Sequence, residues 1–257
     1  MYLTPRIDPN LIPDDEREGA RYIEQNLQGL QSLTVQFKSA LALFHSTKVL
    51  HKSEIDNLPK IPDFPDDMSE WGVVSKRHRA EMEAYQARLR MFSDWLRFAA
   101  RQGAMLTYSF SMISQKMNGT LGKCPIMLSK VDLDAKKRAQ KILESNFPQI
   151  ASIRLSAAHP REIGSTPRDH EKHSIKGGHS DRVISSSSPQ LLIEGSLLIE
   201  DHRLVYTSSI SGRAVSFELS ETSYKHLVDA QLEFWNAFSP LEDQFWRDTR
   251  LSEKWSF

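Results

Sequence analysis

MEAYQARLRMFSDWLRFAARQGAMLTYSFSMISQKM, residues 82–117, decides the fold. Met82, Tyr85, Leu89, Phe92, Leu96, Ala99, Gly103, Leu106, Phe110, Ile113 and Met117 recur in steps of three and four without a miss, the spacing of one helix face. A second stripe, Met91, Trp95, Phe98, Met105 and Met112, widens that face beyond a two-stranded seam, so this helix must be covered from more than one side. The reading is a helical bundle. Its methionines suit an irregular core better than a cofactor pocket. Gly103 lies on the seam, where glycine costs about 1 kcal/mol relative to alanine. It predicts either the close approach of another backbone or a bend.

Upstream, from about Asp14 to Leu50, Ala20, Ile23, Leu27, Leu30, Phe37, Leu41 and Phe44 follow the same steps, with Thr34 in the one polar slot. Acids at Asp14, Asp15, Glu16 and Glu18 suit the positive end of a helix dipole. Residues 53–70 hold Pro59, Pro62 and Pro65 among acids and read as a connector. Two long helices joined this way run antiparallel.

Downstream, NGTLGKCP (118–125) ends the second helix. Asp132 or Asp134 caps a third, which stops near Asn146. Pro148 suits the first turn of a fourth, with Ile150, Ile153 and Ala157 on its apolar face and its end before Pro160. Ser165 or Thr166 can cap a brief turn before a glycine- and serine-containing stretch. LLIEGSLLI, RLVYT and AVSFELS then predict a small antiparallel β meander. A last helix runs from Glu221 through Tyr224, Leu227, Val228, Leu232 and Trp235, followed by Phe245, Trp246 and Trp255. The expected fold is therefore mainly α: a bundle on two long antiparallel helices, a β meander and a C-terminal helix. It divides into a bundle at 1–160, a basic Ser- and Gly-containing connector at 161–189, and a meander with helix at 190–257, packed on the bundle.

The 257 residues carry 39% hydrophobic and 26% charged side chains, a globular composition that excludes disorder throughout. The first residues are acidic and proline-containing rather than basic and apolar, and no run approaches a membrane span. A cytoplasmic protein is the expectation. The lone Cys124 fits a reducing compartment and a structural thiol. Lys and Arg balance Asp and Glu at 33 each, so a polyanion site needs local asymmetry. Between Lys136 and Arg182, ten Lys or Arg stand against five acids.

Inside that basic segment lies IRLSAAHPRE (153–162), with Arg154 five residues before His159. With its helical context this motif resembles the HEPN domain family over roughly residues 14–160. The resemblance implies a helical bundle, often dimeric, and in active members a metal-independent endoribonuclease whose two motif copies face each other across a dimer cleft. It assigns His159 as general acid or base and Arg154 as transition-state stabiliser, without a cofactor. Leu155 departs from the polar residue that the family prefers there. A toxin or defence role, with a protein antitoxin or inhibitor as partner, is a further implication.

The chemistry suits these residue types. Cleavage by an RNA 2′-hydroxyl needs proton transfer near neutrality, which histidine provides, and a fixed positive fork for the phosphorane, which guanidinium provides. Five helical steps place the two about 7.5 Å apart along the axis and about 140° around it, a gap arginine can span. Ser156, Arg161, Lys136 and Arg138 are the candidate substrate-binding residues. The same spacing recurs at Arg168 to His173, so position, not spacing, favours the first pair. His159, His170, His173 and His179 with nearby acids form a rival metal constellation, but they match no strong zinc pattern and no metal is expected. The other function class is a non-catalytic binding or scaffold module, in which the helix bearing Arg154 is a dimer or partner interface.

Overall fold

The structure, a computed structural model, describes residues 4–63, 68–159, 165–177, 179–180, 185–188, 190–244 and 246–248. Helix α1 (Arg17–Asp56) buries Ala20, Ile23, Leu27, Leu30, Thr34, Phe37, Leu41 and Phe44, the seam read from the sequence. Helix α2 (Trp71–Leu121) runs 51 residues and buries Tyr85, Phe92, Leu96, Ala99, Gly103, Leu106, Phe110 and Met117. The Arg88–Glu54 ion pair (2.8 Å) holds the N-terminal half of α2 beside the end of α1, as an antiparallel pair requires. Both helices outrun the apolar pattern: α1 by six residues at its end, α2 by eleven at its start. Neither extension contains proline, and propagation adds a backbone hydrogen bond per residue without needing a buried face.

Short helices α3 (Pro125–Lys130), α4 (Leu133–Asn146) and α5 (Ile150–Ala158) follow. Asp132 caps α4 by accepting the N–H groups of Asp134 and Ala135 at 2.9 and 3.0 Å. The six-residue α3 has no counterpart in the sequence reading. Its cap is Glu16, a buried carboxylate that accepts the N–H groups of Ile126 and Met127, both at 2.8 Å. Thus one acid expected to serve the start of α1 serves α3.

Thr166 caps α6 (Pro167–His173) through the Asp169 N–H. Two-residue strands then pair: β2 (His179–Ser180) with β3 (Ser185–Ser186) inside the expected connector, and β1 (Ile175–Lys176), also inside it, with β4 (Gln190–Leu191) just beyond it. The meander is β5 (Ser196–Glu200), β6 (Arg203–Ile210) and β7 (Arg213–Ser220), antiparallel in that order. Ser211 and Gly212 join β6 to β7 with φ of 51° and 74°, the left-handed pair of a tight hairpin turn.

Helix α7 (Glu221–Phe238), capped by Ser220, packs on α4 and α1 and is a full member of the bundle. Gln231 meets Thr34 of the α1 seam, and Glu233 pairs with Arg138 of α4 at 2.9 Å. One apolar core runs from α1 and α2 through Leu204, Tyr206, Phe217 and Leu219 of the sheet to Phe234 and Trp235 of α7. At Gly103 the close approach is by side chains rather than backbone: a Cβ there would stand 2.8 Å from Leu219 Cδ1 and 3.1 Å from Phe217 Cε1. Residues near the start also meet the segment after α7, with Asp8 N–H donating to Leu241 O at 2.8 Å and Arg6 lying 4.1 Å over the Trp246 ring. Phe245 and Trp255 lie outside the described side chains. Among the described residues no helix is long and apolar enough to cross a membrane.

Candidate functional site

Helix α5 begins at Ile150, two residues later than Pro148 suggested, with Gln149 at its N-cap. The Gln149 side chain accepts the Ser216 N–H at 3.1 Å and so docks this end of α5 on β7. Ile153, Ser156 and Ala157 face the core. The Ser156 and Tyr206 hydroxyls meet at 2.8 Å, and the Tyr206 hydroxyl reaches the Ser156 carbonyl at 3.3 Å. Ser156 is fully buried and therefore presents no hydroxyl to a ligand.

Arg154 is half-buried and leaves α5 toward α2, where its guanidinium lies 4.8 Å over the Tyr108 ring. This cation–π contact holds the guanidinium against the ring. Its Nε is buried and makes no hydrogen bond among the described residues. His159 is the exposed C-cap of α5, its backbone N–H donating to Leu155 O at 3.0 Å. The two residues thus share one helix but differ in environment, one packed against an aromatic face and one at the surface. Leu155, between them, is 41% exposed.

The remaining candidates scatter. Arg138 is engaged with Glu233, whose carboxylate raises the arginine pKa. Lys136 is half-buried on α4, and burial, with Lys137 beside it, pushes its pKa down. Arg161 lies outside the described residues. The second Arg-to-His match runs along α6, where His173 is buried and its Nδ1 accepts the Ser211 N–H at 3.1 Å. Burial, then Lys172, lowers the His173 pKa, while Asp169 opposes them. His170 Nδ1 lies 3.3 Å from Ser174 Oγ, and His179 is on β2. Among the described residues no group of three or more His, Cys, Asp or Glu is arranged to hold a metal.

A different feature stands out on α2. Met91, Trp95 and Phe98 are 40%, 41% and 60% exposed, while Met105 and Met112 further along are half-buried. The second stripe expected to be covered is therefore open over its first half. Sequence reasoning found these residues but assigned them inward. Tyr108, the platform for Arg154, it missed.

These elements define a mainly α bundle with an antiparallel meander built into its core. Compared with known proteins, the chain matches no family model, no curated protein and no solved structure.

Proposed function

We propose that this chain is a HEPN-like helical bundle acting as a non-catalytic binding or scaffold module. The observation that carries this reading is the open Met91, Trp95 and Phe98 stripe on α2, beside the buried Phe92 and Leu96. Large apolar side chains grouped on one face mark an interaction surface, whereas scattered ones do not. The candidate substrate-binding residues support it: Ser156 is sealed by Tyr206 and Arg138 is held by Glu233.

A second reading, the metal-independent endoribonuclease, rests on Arg154 and His159. Arg154 keeps an Nε without a hydrogen bond among the described residues, and His159 is at the surface of the same helix. RNA as substrate and a protein antitoxin as partner belong to this reading. One assay separates the two: full-length protein is incubated with RNA in chelator beside Arg154→Ala and His159→Ala. Absence of cleavage upholds the binding module. Cleavage lost in both variants overturns it in favour of the enzyme.

A further inference from the structure

We infer that the open α2 stripe seats an acidic amphipathic helix of another protein, which lays apolar side chains over Met91, Trp95 and Phe98 and sets carboxylates against Arg90 and Arg101. This rests on the binding-module reading and names the chemistry of its partner.

Helical geometry lays out the surface. At about 100° per residue, Met91, Phe98 and Gln102 fall within about 40° of one line along α2, with Trp95 on one flank of that line. Met91, Trp95 and Phe98 are spaced i, i+4 and i+7, the row of anchors that one face of a second helix covers. Trp95 is exposed yet held, because its ring meets that of the buried Phe92 edge-on with centroids 5.8 Å apart. An aromatic ring already in place loses little freedom on binding, and tryptophan is enriched among the residues that dominate interface energies. Met91 adds a side chain that adapts to what it meets.

Charge then selects the partner. The other flank holds Arg90, Asp94, Arg97 and Arg101. Asp94 is taken by Arg97 at 2.9 Å, which leaves two arginines uncompensated. Arg90 is exposed and Arg101 half-buried, and neither has an ion-pair partner among the described residues. The Arg101 Nε makes no hydrogen bond among the described residues either. Eleven residues separate the two, so they stand three turns and about 17 Å apart on nearly one line. A helix lying along the stripe answers both with two carboxylates three turns apart on its own flank. A second copy of α2 would bring the same excess of arginine. An anionic bilayer would call for free basic side chains on both flanks, whereas Arg88, on the Trp95 side, is tied to Glu54 at 2.8 Å. The contact is one helix wide, smaller than the roughly 800 Å² per partner of a standard interface, so binding is micromolar and screened by salt.

Fluorescence anisotropy with labelled synthetic helices of about five turns tests this on the full chain. One peptide carries leucine along one face and glutamate on both flanks. A second has lysine in place of glutamate, and a third keeps the composition of the first with its leucines spread around the helix. The parent should bind the first with a micromolar dissociation constant that weakens with salt, and the other two at least about tenfold more weakly. Phe98→Glu should lose the first peptide with an unchanged circular dichroism spectrum. Arg90→Glu should weaken the first peptide and strengthen the second, whereas Arg21→Glu, at an exposed arginine of α1, should change neither.

No binding of the first peptide overturns the inference, as does equal binding of the lysine or the shuffled peptide. Self-association or binding to phosphatidylglycerol vesicles that is present in the parent and lost in Phe98→Glu assigns the stripe to a second copy or to a bilayer, and overturns it as well. A preference for the lysine peptide sinks the partner and leaves the binding-module reading standing. RNA cleavage lost in Arg154→Ala and His159→Ala sinks that reading and leaves the peptide affinities as measured.

Discussion

The Ser156 and Tyr206 hydroxyls, 2.8 Å apart in the core, pin the helix that carries Arg154 to the central strand of the meander. Tyr206→Phe removes one hydroxyl and leaves Ser156 Oγ buried without that partner. An unsatisfied buried hydroxyl costs about 1–3 kcal/mol. Urea denaturation should show a loss in that range, and Ser156→Ala in the same background should recover part of it, because both polar groups are then gone.

At Gly103 two effects oppose. Adding side-chain bulk recovers up to about 1 kcal/mol of helix propensity, but a Cβ would stand 2.8 Å from Leu219 Cδ1 and 3.1 Å from Phe217 Cε1. Valine adds two further methyl groups into the same space, and overpacking of this kind costs about 1–3 kcal/mol. Packing wins. Gly103→Val should lower the melting temperature, whereas Gly72→Ala, where a Cβ meets nothing within 4 Å, should not.

The long helices were legible because their seams repeat over many turns, and Thr34 held its slot even though it is polar. Its partner, Gln231, was not legible, since the pairing depends on where α7 lands. The first turns of α2 carry no apolar period and so gave no signal, although the helix propagates through them. Helix α3 was invisible for another reason: its cap, Glu16, lies more than a hundred residues away in sequence. The same limit applies at the candidate site. Arg154 and His159 could be named from spacing, but Tyr108 and Tyr206, which fix their helix, come from distant segments and only tertiary packing brings them near.

Glu16 gives a test of that distant cap. Its carboxylate takes the N–H groups of Ile126 and Met127, and Met127 is itself buried. Glu16→Ala leaves those donors without their acceptor, and a buried unpaired donor costs about 1–3 kcal/mol, more where a charged partner is lost. Thermal unfolding should shift down by several degrees. Native-state hydrogen exchange should show faster exchange at Ile126 and Met127 than the global loss explains.

The Arg154 and Tyr108 contact can be measured directly by a double-mutant cycle. Arg154→Ala and Tyr108→Ala each remove the stack, and their coupling should be about 0.5–1 kcal/mol, the size of a partly exposed cation–π pair. Arg154→Lys should not restore it fully, because a point charge lacks the planar overlap of a guanidinium. A coupling near zero would show that the two side chains are neighbours without being partners.

His173 should give the fold a pH dependence on the acid side. Its Nδ1 accepts the Ser211 N–H at 3.1 Å, an arrangement that requires this nitrogen unprotonated, and burial with Lys172 nearby depresses its pKa in the folded state. The unfolded chain, with histidine at its ordinary value of about 6.5, binds the proton first as pH falls. Stability is therefore fully present above about pH 6.5 and is lost progressively as pH drops toward the lower folded-state pKa. His173→Asn places an oxygen acceptor near the same N–H but cannot titrate there. Melting temperatures measured from pH 7.5 to 5 should fall less steeply in His173→Asn than in the parent; parallel slopes would show that other groups set the acid dependence.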